Sequence, residues 1–291
     1  MKKNRADVLV YKQGLVDSRE KAKRLIMSGN IYVNEVKVLK AGEMYEEGTI
    51  FTLKGEKPRY VSRGGFKLEK ATKSFELNLD DMVCADFGAS TGGFTDCMLQ
   101  NGAKKVYAID VGYGQIDWSI RSNPKVITIE RTNIRYLDES LIQEKLNFIS
   151  IDVSFISLTL ILPKAFSLIA DDGIIIALIK PQFEAGREEV GKNGIVRSLE
   201  TREKTIEKIY DFVLDNSFTP LDLTFSPITG AEGNQEFLIK ISKDGQVFNR
   251  ESIKDIVKEG NSSLRWLDAK RVKYKKLCPC RRYEYSIWTW T

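Results

Sequence analysis

The chain has no histidine among its 291 residues. Imidazole is the side chain that most often accepts a proton near neutral pH, so a general base in this chain has to be Lys, Asp, Glu, Tyr or Cys. A free lysine, with an ordinary pKa of about 10.4, is protonated at neutral pH. Burial and a second nearby lysine favour the neutral amine, whereas carboxylates oppose it but hold the amine in place. The absence of histidine therefore directs attention to clusters of lysines and carboxylates.

Long apolar runs and cysteines are also scarce. The longest apolar run, residues 173–179, is far shorter than the roughly 20 residues of a membrane-spanning helix, and no apolar signal core follows the basic N-terminus. Of the four cysteines, Cys278 and Cys280 are too few and too close together for a zinc site, and Cys84 and Cys97 are expected in the core. We expect a cytoplasmic protein without a membrane or metal partner.

Charge is distributed unevenly along the chain. Residues 1–60 carry a formal charge of +5, residues 61–248 of −6 and residues 249–291 of +6. Basic ends beside an acidic centre favour a protein whose ends hold a polyanion that the centre modifies. Basic faces are also often only solvated, so charge alone leaves nucleic-acid binding open.

A glycine-rich turn lies in the central part of the chain. Residues 83–87 predict a short buried strand, and residues 90–94 begin a helix. Gly88 lies between the strand and the helix, and Gly92 and Gly93 lie at the helix start. These glycines allow the backbone to approach a bound molecule, and the N–H groups at the helix start offer hydrogen bonds to it. The spacing does not match the G-x-G-x-x-G fingerprint, which argues against NAD.

Two carboxylates accompany this turn. Asp86 belongs to the strand before it, and Asp110 ends the next predicted strand about 24 residues later, where doubly wound folds place the acid that binds ribose hydroxyls. Alternatively, Asp110 is a turn residue or the cap of the next helix. The acids and glycines together predict a nucleoside ligand without a pyrophosphate. S-adenosylmethionine fits that description.

The first 59 residues predict two helices followed by short strands. Ser18 is a good cap for the second helix, and a hairpin turns at Asn34. The run GLVDSREKA at residues 14–22 closely resembles the S-four type of RNA-binding domain, and the likeness covers nearly all of residues 5–54. That resemblance implies RNA contacts, which position RNA through its phosphates without reading its sequence. The implied RNA-binding residues are Arg5, Ser18, Arg19, Lys21, Arg24 and Asn34. We add Arg63, which lies in the following domain.

Beyond residue 59, predicted strands and helices alternate, which favours a parallel, doubly wound α/β sheet. Two of the predicted strands end in single charges, Asp152 and Lys180. Ligands bind at the carboxyl ends of such strands, so these two residues should share a cleft with the glycine turn. An ordinary ion pair that seals the cleft would also bring them together.

Lys67, in the first helix of this domain, and Glu236, at the start of the last strand, complete a group of four. The motifs around the four residues resemble the TlyA family, often labelled haemolysin A, over roughly residues 5–242. The matching motifs are SRGGFKL at 62–68, DFGASTGGFT at 86–95, IDVSFISL at 151–158, IKPQFE at 179–184 and GAEGNQE at 230–236. This family joins an S-four domain to an FtsJ-like methyltransferase with a Rossmann-like sheet.

The resemblance implies S-adenosylmethionine-dependent 2′-O-methylation of ribosomal RNA, with rRNA or a ribosomal subunit as partner and cytidine as the expected target. It assigns catalysis to a tetrad of Lys67, Asp152, Lys180 and Glu236. In the expected reaction Lys180, oriented by Asp152 and Glu236, takes the proton of a ribose 2′-hydroxyl while Lys67 positions the substrate. The expected cofactor contacts, including Asn133 as an adenine-side candidate, are Asp86, Gly88, Ala89, Ser90, Gly92, Gly93, Phe94, Asp110 and Asn133.

Three segments are expected: an S-four-like domain at 1–59, the methyltransferase domain at 60–248 and a basic tail at 249–291. Aromatic residues of the tail could stack on unpaired bases, or the tail could have no role in catalysis. Two other functions stay open. One is a ribosome-assembly protein with an inactive methyltransferase fold, and the other is a pore-forming haemolysin, against which the lack of a membrane-spanning segment counts.

Overall fold

A computed structural model describes residues 3–54, 58–230 and 232–263. Within them, one compact unit ends at Arg59 and a second begins at Tyr60. The aromatic residues of the predicted tail that could stack on bases, and its two cysteines, lie outside the described residues; they are Trp266, Tyr274, Cys278, Cys280, Tyr283, Tyr285, Trp288 and Trp290.

The first unit combines two helices with short strands. The second helix, α2 (Arg19–Met27), begins after Ser18, whose hydroxyl accepts a hydrogen bond from the backbone N–H of Lys21 at 3.2 Å, as expected of a helix cap. The hairpin turns at Asn34 and Glu35, which have φ values of 47° and 66°, as a tight hairpin turn requires. The elements are β1 (Lys3–Arg5), α1 (Ala6–Lys12), α2 (Arg19–Met27), β2 (Ile31–Val33), β3 (Val36–Lys37), β4 (Met44–Glu46) and β5 (Thr52–Leu53).

The second unit is built around a seven-stranded sheet of order β11-β12-β10-β9-β6-β7-β8. Strands β6 to β10 pair in parallel, which confirms the doubly wound sheet expected from the alternation of elements. The elements are α3 (Gly64–Ser74), β6 (Val83–Phe87), α4 (Gly93–Gln100), β7 (Lys105–Ile109), α5 (Trp118–Arg121), β8 (Val126–Ile129), β9 (Leu146–Ile151), α6 (Leu162–Leu168), β10 (Ile169–Ile179), α7 (Pro181–Glu184), α8 (Leu199–Asp215), β11 (Thr219–Phe225) and β12 (Phe237–Ser242).

Strand β12 departs from the parallel pattern, because it runs antiparallel to both β10 and β11. A loop rather than a crossover helix joins β11 to β12, and a short connection of this kind reverses the chain. The sheet is therefore mixed. Since β12 begins at the edge where the parallel strands end, Glu236 stands at the same edge as Lys180, and the register pairs the neighbouring Ile179 with Phe237.

A final helix, α9, covers residues 252–263. Ile253 and Val257 lie one turn apart on it and are buried in the core that surrounds the sheet. The predicted boundary at residue 248 thus falls before a helix that packs into the methyltransferase unit. The expectation of a separate basic tail does not hold for residues 252–263.

Candidate active site

Four charged side chains meet at the edge of the sheet where the parallel strands end. Asp152 follows β9, Lys180 follows β10, Glu236 precedes β12, and Lys67 reaches them from the first turn of α3. The sheet order places β10 between β9 and β12, so the residues at these three strand ends are neighbours. The topology therefore assembles the predicted tetrad from segments that are far apart in sequence.

Asp152 connects the two lysines. Its Oδ1 lies 2.5 Å from Lys180 Nζ and its Oδ2 lies 3.6 Å from Lys67 Nζ. Lys67 Nζ is also 2.7 Å from Glu236 Oε2, and Lys180 Nζ donates a hydrogen bond to Ser154 Oγ at 2.9 Å. Lys67, Lys180 and Glu236 are buried, whereas the side chain of Asp152 is 18% exposed. Two lysine side chains and two carboxyl groups form one compact cluster that is open at Asp152.

Burial and charge act against each other in this cluster. Burial disfavours the Lys67 ammonium, but Asp152 and Glu236 outweigh it and raise the pKa of Lys67. Burial also disfavours the Asp152 carboxylate, yet the two lysines lower its pKa. At Glu236 burial prevails and raises the pKa. The pKa shifts therefore favour the charged forms of Lys67 and Asp152 and the protonated form of Glu236.

The geometry corrects one expectation about the tetrad. Glu236 was expected to orient Lys180, but its ion-pair partner is Lys67. Lys180 is instead oriented by Asp152 and Ser154. The reason is that α3 brings Lys67 between the two carboxylates, a placement that strand order alone does not reveal.

Gly88 brings the glycine turn close to this cluster. It has a φ of +89°, and a Cβ at this position would lie 2.5 Å from the carbonyl oxygen of Asp152. A residue with a side chain would be excluded both by the backbone conformation and by this contact. The close approach of the ends of β6 and β9 thus accounts for this glycine.

Asp86 lies beneath the same turn rather than on its surface. It is fully buried and accepts hydrogen bonds from Thr95 N at 2.9 Å, Thr95 Oγ1 at 2.7 Å and Ser150 Oγ at 3.1 Å. Burial raises its pKa to about 7 despite these hydrogen bonds. Because it has no exposed surface, Asp86 supports the turn from below, and the direct cofactor contact expected from the sequence is not open to it in this conformation.

Asp110 closes the turn from the side. Its Oδ2 accepts a hydrogen bond from Ser90 N at 2.8 Å, and its Oδ1 accepts one from Gly112 N at 2.6 Å. These contacts match the alternative in which Asp110 is a turn residue. A carboxylate retains further lone pairs after accepting two hydrogen bonds, so its contact with a ribose stays a prediction.

The remaining candidates for cofactor binding differ in exposure. Ser90 is exposed with a φ of 49°. Gly92 precedes α4 and has no side chain to cap it, and in the first turn of that helix Asp86 bonds the N–H of Thr95. Asn133 caps a short 3₁₀ helix by accepting a hydrogen bond from Arg135 N at 3.1 Å. Their contacts with a cofactor stay predictions, as do those of the buried residues that shape the turn, Ala89, Gly93 and Phe94.

An aromatic pair borders the cluster and was missed at the level of sequence. Phe155 is 90% exposed although its φ of 63° is unusual for a bulky residue. Its ring centroid lies 5.0 Å from that of Phe183, and Lys180 Nζ lies 6.0 Å from the centroid of Phe183. The sequence signal was available, since Phe155 and Phe183 lie within three residues of Asp152 and Lys180.

A buried arginine supports the segment that carries Glu236. Arg202 of α8 donates hydrogen bonds to the carbonyl of Val196 from Nε at 3.1 Å and from one terminal nitrogen at 2.9 Å. Its other terminal nitrogen donates to Gln235 Oε1 at 2.7 Å, and burial lowers the pKa of Arg202. Asn234 holds the same loop by accepting from Val196 N at 2.9 Å. Arg202 was missed because the helical pattern does not distinguish it from a solvated arginine.

The expected RNA-binding residues lie on the surface of the two units. In the first unit, Arg5 and Arg19 both pair with Asp7, and Lys21 pairs with Asp17 at 2.9 Å. The hydroxyl of Ser18 accepts the hydrogen bond of the helix cap described above. The remaining three residues, Arg24 and Asn34 in the first unit and Arg63 in the second, are exposed. Their binding to RNA stays a prediction.

Comparison with family models divides the chain in the same order. Residues 5–51 match the model of the S4 domain, which is the S-four type of RNA-binding module. Residues 60–243 match the model of the FtsJ-like methyltransferase. Within the described residues, no helix is long and apolar enough to cross a membrane.

Several known proteins resemble the chain over both units. A Bacillus subtilis (strain 168) protein provisionally named rRNA methyltransferase YqxC is 46% identical over 91% of this chain and 96% of its own length. The 16S/23S rRNA (cytidine-2′-O)-methyltransferase TlyA of Mycobacterium tuberculosis (strain ATCC 25618 / H37Rv) is 35% identical over 81% of this chain and 88% of its own. A solved structure from Streptococcus thermophilus, provisionally named a hemolysin, is 48% identical with a TM-score of 0.73 and covers 92% of this chain and 99% of its own.

Proposed function

The chain belongs to the TlyA family of rRNA methyltransferases, with an S4 domain ahead of an FtsJ-like methyltransferase domain, and we propose that it methylates a ribose 2′-hydroxyl of ribosomal RNA with S-adenosylmethionine as donor. The observation that carries this proposal is the buried Lys67-Asp152-Lys180-Glu236 cluster beside the glycine turn. A cluster of two lysines and two carboxyl groups beside the predicted cofactor turn supplies the groups that proton transfer from a hydroxyl needs.

Lys180 is the member best placed to accept a proton. Lys67 is held between two carboxylates and has a raised pKa, so it remains an ammonium ion. Lys180 shares Asp152 with Lys67, and its other partner is the neutral hydroxyl of Ser154. As a neutral amine, Lys180 Nζ would accept the 2′-hydroxyl proton while the oxygen bonds to the methyl carbon and the methyl–sulfur bond of the donor breaks, releasing S-adenosylhomocysteine. Asp152 would then stabilise the ammonium ion that forms.

The glycine turn fits the cofactor. Ser90, the first two residues of α4 ahead of Thr95 and the carboxylate of Asp110 offer donors and acceptors to a nucleoside, while Gly88 keeps the turn beside Asp152. When bound, S-adenosylmethionine supplies an activated methyl group, so positioning of the two reactants by the protein provides much of the rate.

The RNA substrate is supported by both units. A 2′-hydroxyl reaches a buried lysine only if its nucleotide leaves the RNA stack. The exposed ring of Phe155, which contacts Phe183, can stack on the displaced base. The S4 domain supplies arginines for phosphates. We take cytidine as the target from the name of the Mycobacterium tuberculosis relative. Ribosomal RNA as substrate would place this activity in the cytoplasm.

The test compares methyl transfer to ribosomal RNA by the wild type and Lys180→Met. Loss of the proton acceptor is expected to lower kcat by about 100-fold or more without loss of cofactor binding, which calorimetry measures. The matched control is Lys243→Met, since Lys243 pairs with Asp171 on the surface of the same unit, and this variant should keep full activity. A Lys180→Met enzyme with the kcat of the wild type would refute the assignment.

A further inference from the structure

A buried carboxylate organises two arginines in the first unit. Asp7 has no exposed surface and accepts three hydrogen bonds, from Arg5 Nε at 3.0 Å, from a terminal nitrogen of Arg5 at 3.2 Å and from a terminal nitrogen of Arg19 at 3.1 Å. The side chains of Arg5 and Arg19 remain 48% and 46% exposed. Both guanidinium groups thus meet at one fixed point while keeping half of their surface in solvent.

Three elements converge on this point. Arg5 ends β1, Asp7 lies in the first turn of α1, and Arg19 is the first residue of α2. The backbone N–H of Asp7 donates to the carbonyl of Ala41 at 3.0 Å, which anchors the start of α1. The guanidinium of Arg5 passes over Gly42, where a Cβ would lie 3.1 Å from its terminal nitrogen. The anchored backbone of Asp7 and the close approach of Arg5 to Gly42 therefore restrict the positions of the two guanidinium groups.

The cluster carries a net positive charge. Burial raises the pKa of Asp7, but the hydrogen bonds and charges of Arg5 and Arg19 outweigh it and lower the pKa, so the carboxylate is ionised. One negative and two positive charges leave one positive charge in excess. A guanidinium has five N–H donors, and Asp7 engages two of those on Arg5 and one of those on Arg19. Most of the donors are left to other partners.

We propose that Asp7 is a positioning residue that holds Arg5 and Arg19 as a preformed two-guanidinium site for a phosphate of the RNA backbone. The proposal deepens the RNA-binding role and rests on it. Two planar forks fixed in advance lose less side-chain entropy when they bind an anion than two free arginines do. The Asp7 carboxylate would thereby strengthen RNA binding, although its negative charge repels the phosphate.

The test uses the expectation that removing a negative charge at Asp7 weakens RNA binding instead of strengthening it. Affinity for protein-free small- and large-subunit rRNA is measured by filter binding over a series of salt concentrations, for the wild type and Asp7→Asn. We expect Asp7→Asn to bind roughly tenfold more weakly and to show a shallower salt dependence, even though the substitution makes the protein more positive. The matched control is Glu47→Gln, which removes an exposed carboxylate paired with Lys12 in the same unit and should bind as well as the wild type or more tightly.

Asp7→Asn binding as tightly as Glu47→Gln would overturn the proposal. Arg5→Lys and Arg19→Lys provide a second test, because they keep the charge on half-exposed side chains and remove only the planar fork. Each is expected to weaken binding severalfold, and to add little to Asp7→Asn. If Asp7→Asn fails to fold by circular dichroism, unchanged affinity of both lysine variants would overturn the proposal instead.

The assay separates this proposal from the proposed function. The binding assay needs no methyl donor. If the protein binds rRNA but transfers no methyl group, the catalytic assignment is refuted and the Asp7 proposal can still be tested. Absence of rRNA binding by the wild type would overturn the RNA-binding role and the role of Asp7 together.

Discussion

Replacing one member of the Lys67–Glu236 pair is expected to destabilise the second unit more than replacing both. The side chains are 11% and 2% exposed and their charged atoms lie 2.7 Å apart, so water cannot replace a missing partner. Removing one partner of a buried pair costs about 3–5 kcal/mol, whereas replacing both is often close to neutral. Two features favour the lower end of that range. Asp152, which lies 3.6 Å from Lys67, remains as a partner for the ammonium in Glu236→Gln, and the raised pKa of Glu236 lets it take up a proton in Lys67→Met.

Urea unfolding followed by far-UV circular dichroism measures this coupling in Lys67→Met, Glu236→Gln and the double variant. We expect each single variant to lose about 3 kcal/mol and the double variant to lose less than either. The exposed i,i+4 pair Glu200–Lys204 on α8 is the control, with an expected coupling of about 0.5 kcal/mol or less. Losses that add up in the Lys67/Glu236 double variant would refute the view that the two charges stabilise each other.

Three further predictions concern residues around the tetrad. Burial raises the pKa of Asp86 in the folded state to about 7 from an ordinary 3.8; its contribution therefore favours folding below about pH 4 and is lost as the pH rises through about 7. Urea unfolding between about pH 4 and 8 should show the wild type losing up to about 4 kcal/mol relative to Asp86→Asn, and parallel curves would contradict this. Phe155→Gly removes a bulky side chain from a residue whose backbone has a positive φ, so the unfolding temperature should be unchanged or raised. The variant should lower kcat/KM about tenfold by loss of base stacking; full activity would exclude the stacking role. Arg202→Met leaves Gln235 without its donor and should lower kcat with unchanged cofactor affinity by calorimetry, and Arg202→Lys should restore part of it; a loss of cofactor affinity alone would contradict a role through Glu236.

Much of the fold was predictable because its signals are local. Strand β6 coincides with the predicted residues 83–87, since a short apolar run there is bounded by a turn and a glycine. The meeting of Asp152 and Lys180 followed from a general rule for the carboxyl ends of parallel strands. The partner of Glu236 was not predictable in this way, because the reversal of β12 and the reach of α3 depend on tertiary packing.

Roles that depend on burial were also hidden. Asp86 and Asp110 read alike in sequence as acids near a glycine turn, yet one has no exposed surface and the other accepts hydrogen bonds from two backbone N–H groups of the loop. Asp7 is one acidic residue among many in a basic segment, and only its contacts with two arginines from different elements show what it does.

The central claim is that the product carries its methyl group on a ribose 2′-oxygen and that Lys180 is required to form it. The most direct measurement treats rRNA with wild-type enzyme and labelled S-adenosylmethionine, hydrolyses the RNA in alkali and identifies the labelled species, with Lys180→Met in parallel. A 2′-O-methyl group blocks cleavage of the neighbouring phosphodiester, so we predict label in an alkali-resistant dinucleotide with the wild type and almost none with Lys180→Met. Label in a base-methylated mononucleotide, or equal label from both proteins, would contradict the account.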